Sequence, residues 1–299
     1  MNDCQCSNGH ETEEGAIGDY PSSAERPNLP DFERPPVAEV ALGVQFEPLT
    51  SFRSIHAGAL WEVFKHQFPN VDEQPPLDPT FERFGISPEA VPAFRFEVSQ
   101  VPQAPRWWFI NEGQTELIQV QRDRFIQNWR KIGDGDIYPR YERIRAAFID
   151  GMSIFEAFLI NAGIGQVVAN QCEVTYVNVI PVGDGWTDLG ELDSVLTVFS
   201  RRYSDEFLGM PEDANLVVRF AIPSDVGEPV GRLHVEALPG WRRSDGKQVL
   251  RLTLTARGAP LGDGIHGILR FLDVGRSWIV RGFASVTTKE MHQIWGRKG

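Results

Sequence analysis

The sequence has few cysteines and no long apolar run. Three of its 299 residues are cysteine, too few for the disulfide framework of a small secreted protein, and this suits a reducing compartment. A membrane-spanning helix needs about 18 or more consecutive apolar residues, and the chain has no such run. The N-terminus also lacks the basic-then-apolar order of a signal peptide. We therefore expect a cytoplasmic protein that does not bind a membrane.

Basic residues are outnumbered, and the common catalytic motifs are absent. The chain has 29 Lys and Arg against 41 Asp and Glu, a formal net charge of -12. Phosphate contacts need clustered basic side chains, so nucleic acid is the less favoured partner. The Walker phosphate loop, the H-E-x-x-H zinc pair and the G-x-S-x-G nucleophile elbow are all missing. We expect a non-enzymatic protein without a cofactor.

Residues 1–36 differ in composition from the rest of the chain. They contain eight acidic residues, two basic residues and five prolines, a composition that cannot bury enough apolar surface to offset the entropy of ordering. The sequence therefore predicts a disordered acidic tail. Cys4, Cys6 and His10 lie in it, but a structural zinc site needs four ligands, commonly with wider cysteine spacing. We expect no metal site.

The remaining chain alternates strand patterns with helical apolar stripes. Helices are predicted at 54–68, 138–161, 188–203 and 265–283, and a capping box at Thr287 and Glu290 starts a short last one. Residues 69–92 are predicted to be a loop. Strands are predicted at 37–47, 93–99, 106–111, 115–120, 122–132, 167–180, 215–222, 232–238 and 248–256. This order predicts an α+β fold, an antiparallel sheet with helices on one face.

Two halves of the chain repeat the same element order. Phe148-Ile149-Asp150 and Phe271-Leu272-Asp273 occupy matching places in the two long helices. We therefore predict duplicated β-α-β(3–4)-α halves at 37–166 and 167–299, arranged by analogy like the saddle of the TATA-binding protein. Two separate half-domains packed together are the alternative.

The segment 119–131 has an unusual polar pattern for a strand. A strand that packs on one face alternates apolar and polar residues, but here Gln119, Gln121 and Asp123 share one face, and Arg122 and Arg124 share the other. Either the segment is an edge or turn, or its polar side chains line a groove. The groove interpretation has an alternative: the nearby tryptophans and Phe109 pack in the core, and the arginines pair with acidic neighbours.

A second aromatic and basic segment, 239–247, connects two strands of the second half, and both segments could flank one interface. Stacking aromatic residues beside arginine suit a protein partner, a carboxylate or a nucleobase. The predicted binding residues are Arg106, Trp108, Gln121, Arg122, Arg124, Trp129, Arg130, Trp241 and Arg242.

Four segments in this order resemble one family of proteins. They are PPVAEVALGVQFEPL (35–49), ELIQVQRDRFIQNWRK (116–131), NQCEVTYVN (170–178) and TTKEMHQIWG (287–296). Together they are similar to a family of sporadically distributed bacterial and archaeal proteins of about this size, without an established activity. Such a distribution resembles that of genes in mobile defence or toxin–antitoxin islands.

Three hypotheses of function follow. The first is a binding protein that recognises a macromolecule, expected to be a protein, through the 106–131 surface; an antitoxin, immunity protein or anti-phage defence accessory would fit. The second is an enzyme or sensor that holds a small anionic ligand in a groove of the sheet, with Arg122 and Arg124 as its clamp and Asp123 or a His234/Glu236 pair nearby. The third is a structural protein that self-associates into homo-oligomers through exposed strand edges.

Overall fold

The structure is a computed structural model that describes residues 29–85, 105–200, 203, 205 and 207–298. It contains four α-helices: α1 (Ser54–Phe64), α2 (Tyr141–Asn161), α3 (Gly264–Val286) and α4 (Lys289–Ile294). A 3-10 helix covers Leu189–Ser194. The strands are β1 (Asp31–Phe32), β2 (Val37–Phe46), β3 (Asn70–Gln74), β4 (Arg106–Ile110), β5 (Glu116–Gln121), β6 (Arg124–Arg130), β7 (Ala169–Pro181), β8 (Leu216–Pro223), β9 (Pro229–Trp241), β10 (Gln248–Gly258) and β11 (Arg297–Lys298).

Nine of these strands form one continuous sheet. Their order is β3-β4-β5-β6-β2-β7-β10-β9-β8, and every neighbouring pair is antiparallel. The predicted α+β fold with an antiparallel sheet is therefore confirmed. Because the two predicted halves share the sheet through β2 and β7, they are not separate half-domains.

The strand order is symmetric about the central pair β2 and β7. Reading outward, β2, β6, β5 and β4 on one side correspond to β7, β10, β9 and β8 on the other. The long helices α2 and α3 follow the last strand of each half. Strand β3 has no counterpart among the described residues, and the 3-10 helix stands where the first half has α1. A common ancestry of the halves stays a prediction.

Both long helices cover the same face of the sheet. A row of directly opposed residues crosses that face from β5 to β9: Ile118, Gln127, Leu42, Val174, Ala256 and Leu233. Gly151 of α2 lies against Phe125 and Ile118, and Gly275 of α3 lies against Ala256 and Val174. The main core therefore lies between this face and the helices, and the opposite face has no helix over it in the described part of the chain.

A charged contact links the two long helices above the core. The Asp273 carboxylate of α3 accepts hydrogen bonds from the Tyr141 hydroxyl (2.8 Å) and from Arg145 Nε (2.9 Å) and Nη2 (3.0 Å), all on α2. The fork of the guanidinium matches both carboxylate oxygens. Burial raises the pKa of Tyr141 well above its ordinary value, as does the nearby Asp273 charge, so the hydroxyl remains a donor.

The predicted helix at 188–203 is wrong. Of the described residues in this range, only Leu189–Ser194 are helical; they form a 3-10 helix capped by the Asp188 side chain, which accepts from Gly190 N. Beyond it, Val195 and Leu196 are fully buried, and Leu196 forms an isolated bridge with Thr287. Tertiary pairing of this segment with the end of α3 replaces the intrahelical hydrogen bonds that a longer helix would need.

Other boundaries differ by a few residues. The predicted loop at 69–92 begins with the edge strand β3, which pairs with β4. The predicted capping box is displaced by one residue, since Thr288 accepts from Met291 N while the Thr287 hydroxyl donates to Phe283 O. The predicted strand at 93–99 lies outside the described residues.

The predicted tail ends earlier than residue 36. Phe32 is buried and packs edge-on against Phe283 and Trp295, with ring centroids 5.4 and 6.2 Å away. Its strand β1 pairs with β11. One large apolar side chain and a strand pairing are enough to order this part of the acidic segment. Residues 1–28, with Cys4, Cys6 and His10, lie outside the described residues.

We expect Gly258→Ala to lower the stability of the sheet. A Cβ at this position would lie 2.3 Å from Val230 O and 2.4 Å from Phe271 Cε2. Overpacking of this kind costs about 1–3 kcal/mol, which urea denaturation would measure. Gly240→Ala is the control, since nothing lies within 4 Å of the added Cβ. Equal stability of the two variants would contradict the close packing of Phe271 on β10.

Candidate functional site

The sheet face opposite the helices, here called the open face, is mainly polar. One row of opposed residues crosses it: Trp108, Gln119, Ile126, Gly43, Glu173, Arg257, Arg232 and Ala221. Side chains alternate between the faces of a strand, so the polar residues of β5 and β6 share this face with those of β7, β10 and β9. The unusual polar pattern of segment 119–131 therefore reflects a face that no helix covers.

The polar residues of the open face bind one another. Gln119 Oε1 accepts from Arg106 Nη1 (2.8 Å) and from Trp108 Nε1 (3.0 Å). Gln119 Nε2 donates to Asn128 Oδ1 (2.7 Å), and Asn128 Nδ2 donates to Glu39 Oε1 (2.7 Å). This chain of hydrogen bonds crosses four strands and restrains the side chains that take part in it.

A non-helical segment, residues 77–84, crosses the open face; we call it the strap. It follows Pro75 and Pro76, which restrict the backbone. Three glutamines of β5, β2 and β7 accept hydrogen bonds from its backbone: Leu77 N to Gln121 Oε1 (2.8 Å), Thr80 N to Gln45 Oε1 (2.9 Å) and Glu82 N to Gln171 Oε1 (3.4 Å). The strap therefore runs perpendicular to the strands, from the first half of the sheet to the second.

Glu82 anchors the strap. Its side chain is 5% exposed, forms ion pairs with Arg232 and with Arg257 (3.4 Å), and is hydrogen-bonded to His234 (Nε2 to Oε1, 2.6 Å). Burial raises the pKa of this carboxyl, but the hydrogen bond from His234 and the neighbouring positive charges outweigh burial, so the pKa lies below its ordinary value. His234 binds Glu82 and not Glu236, the partner considered from the sequence, because the strap brings Glu82 onto the same face of the sheet.

A cavity of about 200 Å³ lies between the strap and the sheet. Three guanidinium groups line it, those of Arg106 on β4, Arg124 on β6 and Arg257 on β10, and we call it the arginine cavity. Arg257 also binds the Glu173 carboxylate through Nε (2.7 Å) and Nη2 (2.6 Å). Glutamine and threonine side chains complete the polar lining: Gln45, Gln119, Gln171, Thr80 and Thr175.

Two of these arginines are incompletely paired. The Nε atoms of Arg106 and Arg124 are buried and have no hydrogen-bond partner among the described residues. Burial lowers the pKa of both groups, and for Arg106 the positive charge of Arg124 lowers it further. A buried donor without a partner costs about 1–3 kcal/mol. The cavity therefore holds positive charge that an anion would compensate.

The cavity-lining Cys172 is a poor candidate for a nucleophile. Its thiol is 1% exposed, and burial raises its pKa far above the ordinary value. A buried protonated thiol is chemically inert because the thiolate is the reactive form. The lining is therefore suited to binding an anion and offers no activated thiol.

The structure brings several of the predicted binding residues together. Arg106 and Arg124 line the arginine cavity, and Gln121 holds the strap. Trp108 lies between two cations on the open face, with the guanidinium carbons of Arg106 and Arg130 5.5 and 5.7 Å from its ring centroid. These five side chains share the open face, as the groove interpretation requires.

The other predicted residues lie elsewhere. Trp129 is buried on the helix-covered face and packs against Tyr138. Alternation along β6 points it away from the open face, so it does not join the other predicted binding residues there. Arg122 donates to Phe52 O in the β5–β6 turn. Trp241 and Arg242 lie at the β9–β10 hairpin, at the opposite end of the sheet from that turn. The hairpin therefore lies far from the β5–β6 turn but nearer the other end of segment 119–131, where Asp134 acts on the charge of Arg242. An interface that both segments flank stays a prediction.

Sequence reasoning missed Arg257, Glu173 and Glu82. Along β10, polar residues alternate with buried ones from Arg251 to Arg257, a signal that could have placed Arg257 on an uncovered face. Glu82 carries no such signal, because it lies in a proline-rich stretch without periodicity. Its role depends on where the strap crosses the sheet.

Comparison of the chain with protein-family profiles, curated proteins and solved structures finds no significant match. Among the described residues, no helix combines the length and apolar character needed to cross a bilayer. In the same residues, no group of three or more His, Cys, Asp or Glu side chains is arranged to hold a metal ion. The site is therefore interpreted from its own geometry.

We expect Glu82→Gln to release the strap. The amide keeps the shape of the side chain but loses the charge that pairs with Arg232, His234 and Arg257. Hydrogen exchange followed by mass spectrometry should show faster exchange of the strap amides than in the wild type. Glu236→Gln, which changes a neighbouring carboxylate on the open face, should exchange like the wild type. If the strap amides of Glu82→Gln exchange at the wild-type rate, the Glu82 carboxylate does not hold the strap on the sheet.

The same anchor predicts a dependence on pH. Because the folded-state pKa of Glu82 is lowered, its ionised form stabilises the folded chain above the ordinary glutamate pKa. That contribution is lost as the pH falls through the lowered value. Limited proteolysis at decreasing pH, with an acid-tolerant protease, should show cleavage of the strap before global unfolding. Simultaneous cleavage and unfolding at every pH would contradict the prediction.

Proposed function

We propose that this protein binds a small oxyanion, such as phosphate or a short dicarboxylate, in the arginine cavity and acts as a sensor or binding protein. One observation carries the proposal: three guanidinium groups, those of Arg106, Arg124 and Arg257, line the cavity together with one carboxylate, that of Glu173. Guanidinium groups match the geometry of carboxylate and phosphate oxygens.

The charge of the lining supports an anion. Arg106, Arg124 and Arg257 face one carboxylate, Glu173, so the lining has an excess of two positive charges. The Asp78 and Asp123 carboxylates also act on Arg124 from outside the lining. An anion that displaces water from this partly buried site would gain charge-assisted hydrogen bonds.

The size and lining of the cavity narrow the ligand class. Sites for drug-sized ligands occupy roughly 300–1,000 Å³, and this cavity is smaller, about 200 Å³. The lining is dominated by polar side chains, with Leu77 and Ile126 as its larger apolar side chains. Both features favour a compact, highly polar anion over a ligand with a large apolar body.

We expect Arg124→Gln to weaken anion binding by about 10-fold or more, because a hydrogen bond to a charged group contributes about 1.5–3 kcal/mol. Isothermal titration calorimetry with phosphate, sulfate, malonate and citrate tests this. Arg251→Gln is the matched control: it removes an exposed arginine of the open face that lies outside the cavity. Its binding should equal that of the wild type.

Two results would contradict the proposal. One is that none of the four anions binds the wild type. The other is that Arg124→Gln and Arg251→Gln weaken binding equally, which would indicate general charge attraction. Thermal stabilisation alone would not suffice, since phosphate and sulfate stabilise folded proteins by exclusion from the surface.

A second candidate function is self-association through strand β8, and a specific observation favours it. In the described part of the chain β8 is the last strand of the sheet, and its two faces expose Val217 (53%) and Phe220 (41%). An edge strand with exposed apolar side chains is a template for a further strand. We propose that a second copy of the chain adds its own β8 there, which moves the proposed protein interface from segment 106–131 to this edge.

We expect Val217→Lys to weaken such a dimer, because a charge would replace an apolar side chain at the shared edge. Sedimentation velocity over a range of concentrations measures the association. Val71→Lys is the matched control, since Val71 is a comparably exposed valine (48%) on β3, the opposite edge of the sheet. A monomer at every concentration, or a dimer that only Val71→Lys disrupts, would rule out the β8 interface.

A further inference from the structure

A second and larger cavity lies on the helix-covered side of the sheet. Its volume is about 320 Å³, and it is enclosed by the segment 29–37, the start of α2, strand β7 and helix α3. We call it the tyrosine cavity, after Tyr138, Tyr141 and Tyr176 in its lining. Arg140 and Arg276 also line it. Its volume lies within the range of small-molecule sites.

One side of this cavity is apolar. Helix α3 contributes Ile279, Val280 and Phe283 to this side of the cavity, and the N-terminal segment contributes Phe32 and Val37. The rings of Phe32 and Phe283 meet edge to face, with centroids 5.4 Å apart. Leu29, Pro30 and Pro35 extend the apolar surface. Such a wall binds the hydrocarbon part of a ligand through the hydrophobic effect.

The other side carries hydroxyl donors. The Tyr138 and Tyr176 hydroxyl oxygens are 2.9 Å apart. One hydroxyl donates to the other, so one proton of the pair remains for a further acceptor. Burial raises the pKa of both groups, and both therefore stay protonated across the neutral range. The hydroxyl pair can stabilise an anion as a donor but cannot itself become one.

Arg276 supplies the positive charge. Its guanidinium carbon lies 5.1 Å from the Tyr141 ring centroid, and its Nη2 is 3.8 Å from Glu142 Oε1. Its Nε atom is buried without a hydrogen-bond partner among the described residues. Arg140, in contrast, is engaged by Asp31 Oδ1 (2.8 Å) and Phe32 O (3.2 Å). Arg276 is therefore less closely ion-paired than Arg140, at 3.8 Å against 2.8 Å.

We propose that the tyrosine cavity binds an amphipathic monocarboxylate, a small acid with one aromatic or medium-chain alkyl body. The carboxylate would accept from Arg276 and from the tyrosine hydroxyl pair. Its body would lie against Phe283, Ile279 and Val280. The apolar wall beside Arg276 distinguishes this ligand class from the compact polar anion proposed for the arginine cavity, which lies on the other face of the sheet.

The proposal is tested by calorimetric titration of the full chain with naphthalene-2-carboxylate and with decanoate. We expect at least one to bind, and naphthalene-2-methanol, which lacks the charge, to bind at least 10-fold more weakly than naphthalene-2-carboxylate. Arg276→Gln should weaken binding of the acid at least 10-fold. The matched control Arg281→Gln removes an exposed arginine of the same helix and should bind like the wild type.

A second variant separates binding from folding. Val280→Phe changes no charge but fills part of the cavity, so it should also weaken binding at least 10-fold; circular dichroism and the melting temperature verify that each variant folds. Arg124→Gln, in the arginine cavity, should leave binding of the acid unchanged. The proposal is overturned if neither acid binds the wild type, or if folded Val280→Phe binds as tightly as the wild type.

Discussion

The antiparallel pairing of β2 with β7 is the contact on which the rest of the molecule depends. It joins residues 37–46 to residues 169–178. A half of five strands and a half of four strands thereby become one sheet. Side chains alternate on a strand, and a shift of one residue would turn every side chain to the other face. The register of this pair therefore decides that Leu42 and Val174 share the core while Gly43 and Glu173 share the open face.

The two faces of the sheet have different physical roles. The covered face buries apolar side chains under α2 and α3, and burial of this kind is the main favourable term in folding. The open face is stabilised by hydrogen bonds and ion pairs, and the strap adds donors and the Glu82 carboxylate to it. Since a partly satisfied buried polar network is costly, the two unpaired Nε atoms of the arginine cavity stand out against an otherwise well-paired surface.

The strap and the arginine cavity form one arrangement. Arg257 contacts both Glu82 of the strap and Glu173 of the cavity, and Arg124 donates to Gln45 and to Asp78 O of the segment above it. The charges that line the cavity are therefore also those that hold the strap. A change of charge at one arginine would act on both, as expected for interacting groups within a shared network.

The sequence by itself determined the α+β class, the two long helices and the buried stripes of α2 and α3, because hydrophobic periodicity is a local property of the chain. It also marked segment 119–131 as unsuited to a covered strand. Only the tertiary structure decided that Arg124 and Arg257, 133 positions apart in sequence, line one cavity with Arg106. The tertiary structure also decided that Glu82 anchors the strap and that Trp129 is buried. The physical reason is that strand register and the path of an aperiodic segment arise from long-range pairing, which no local pattern encodes.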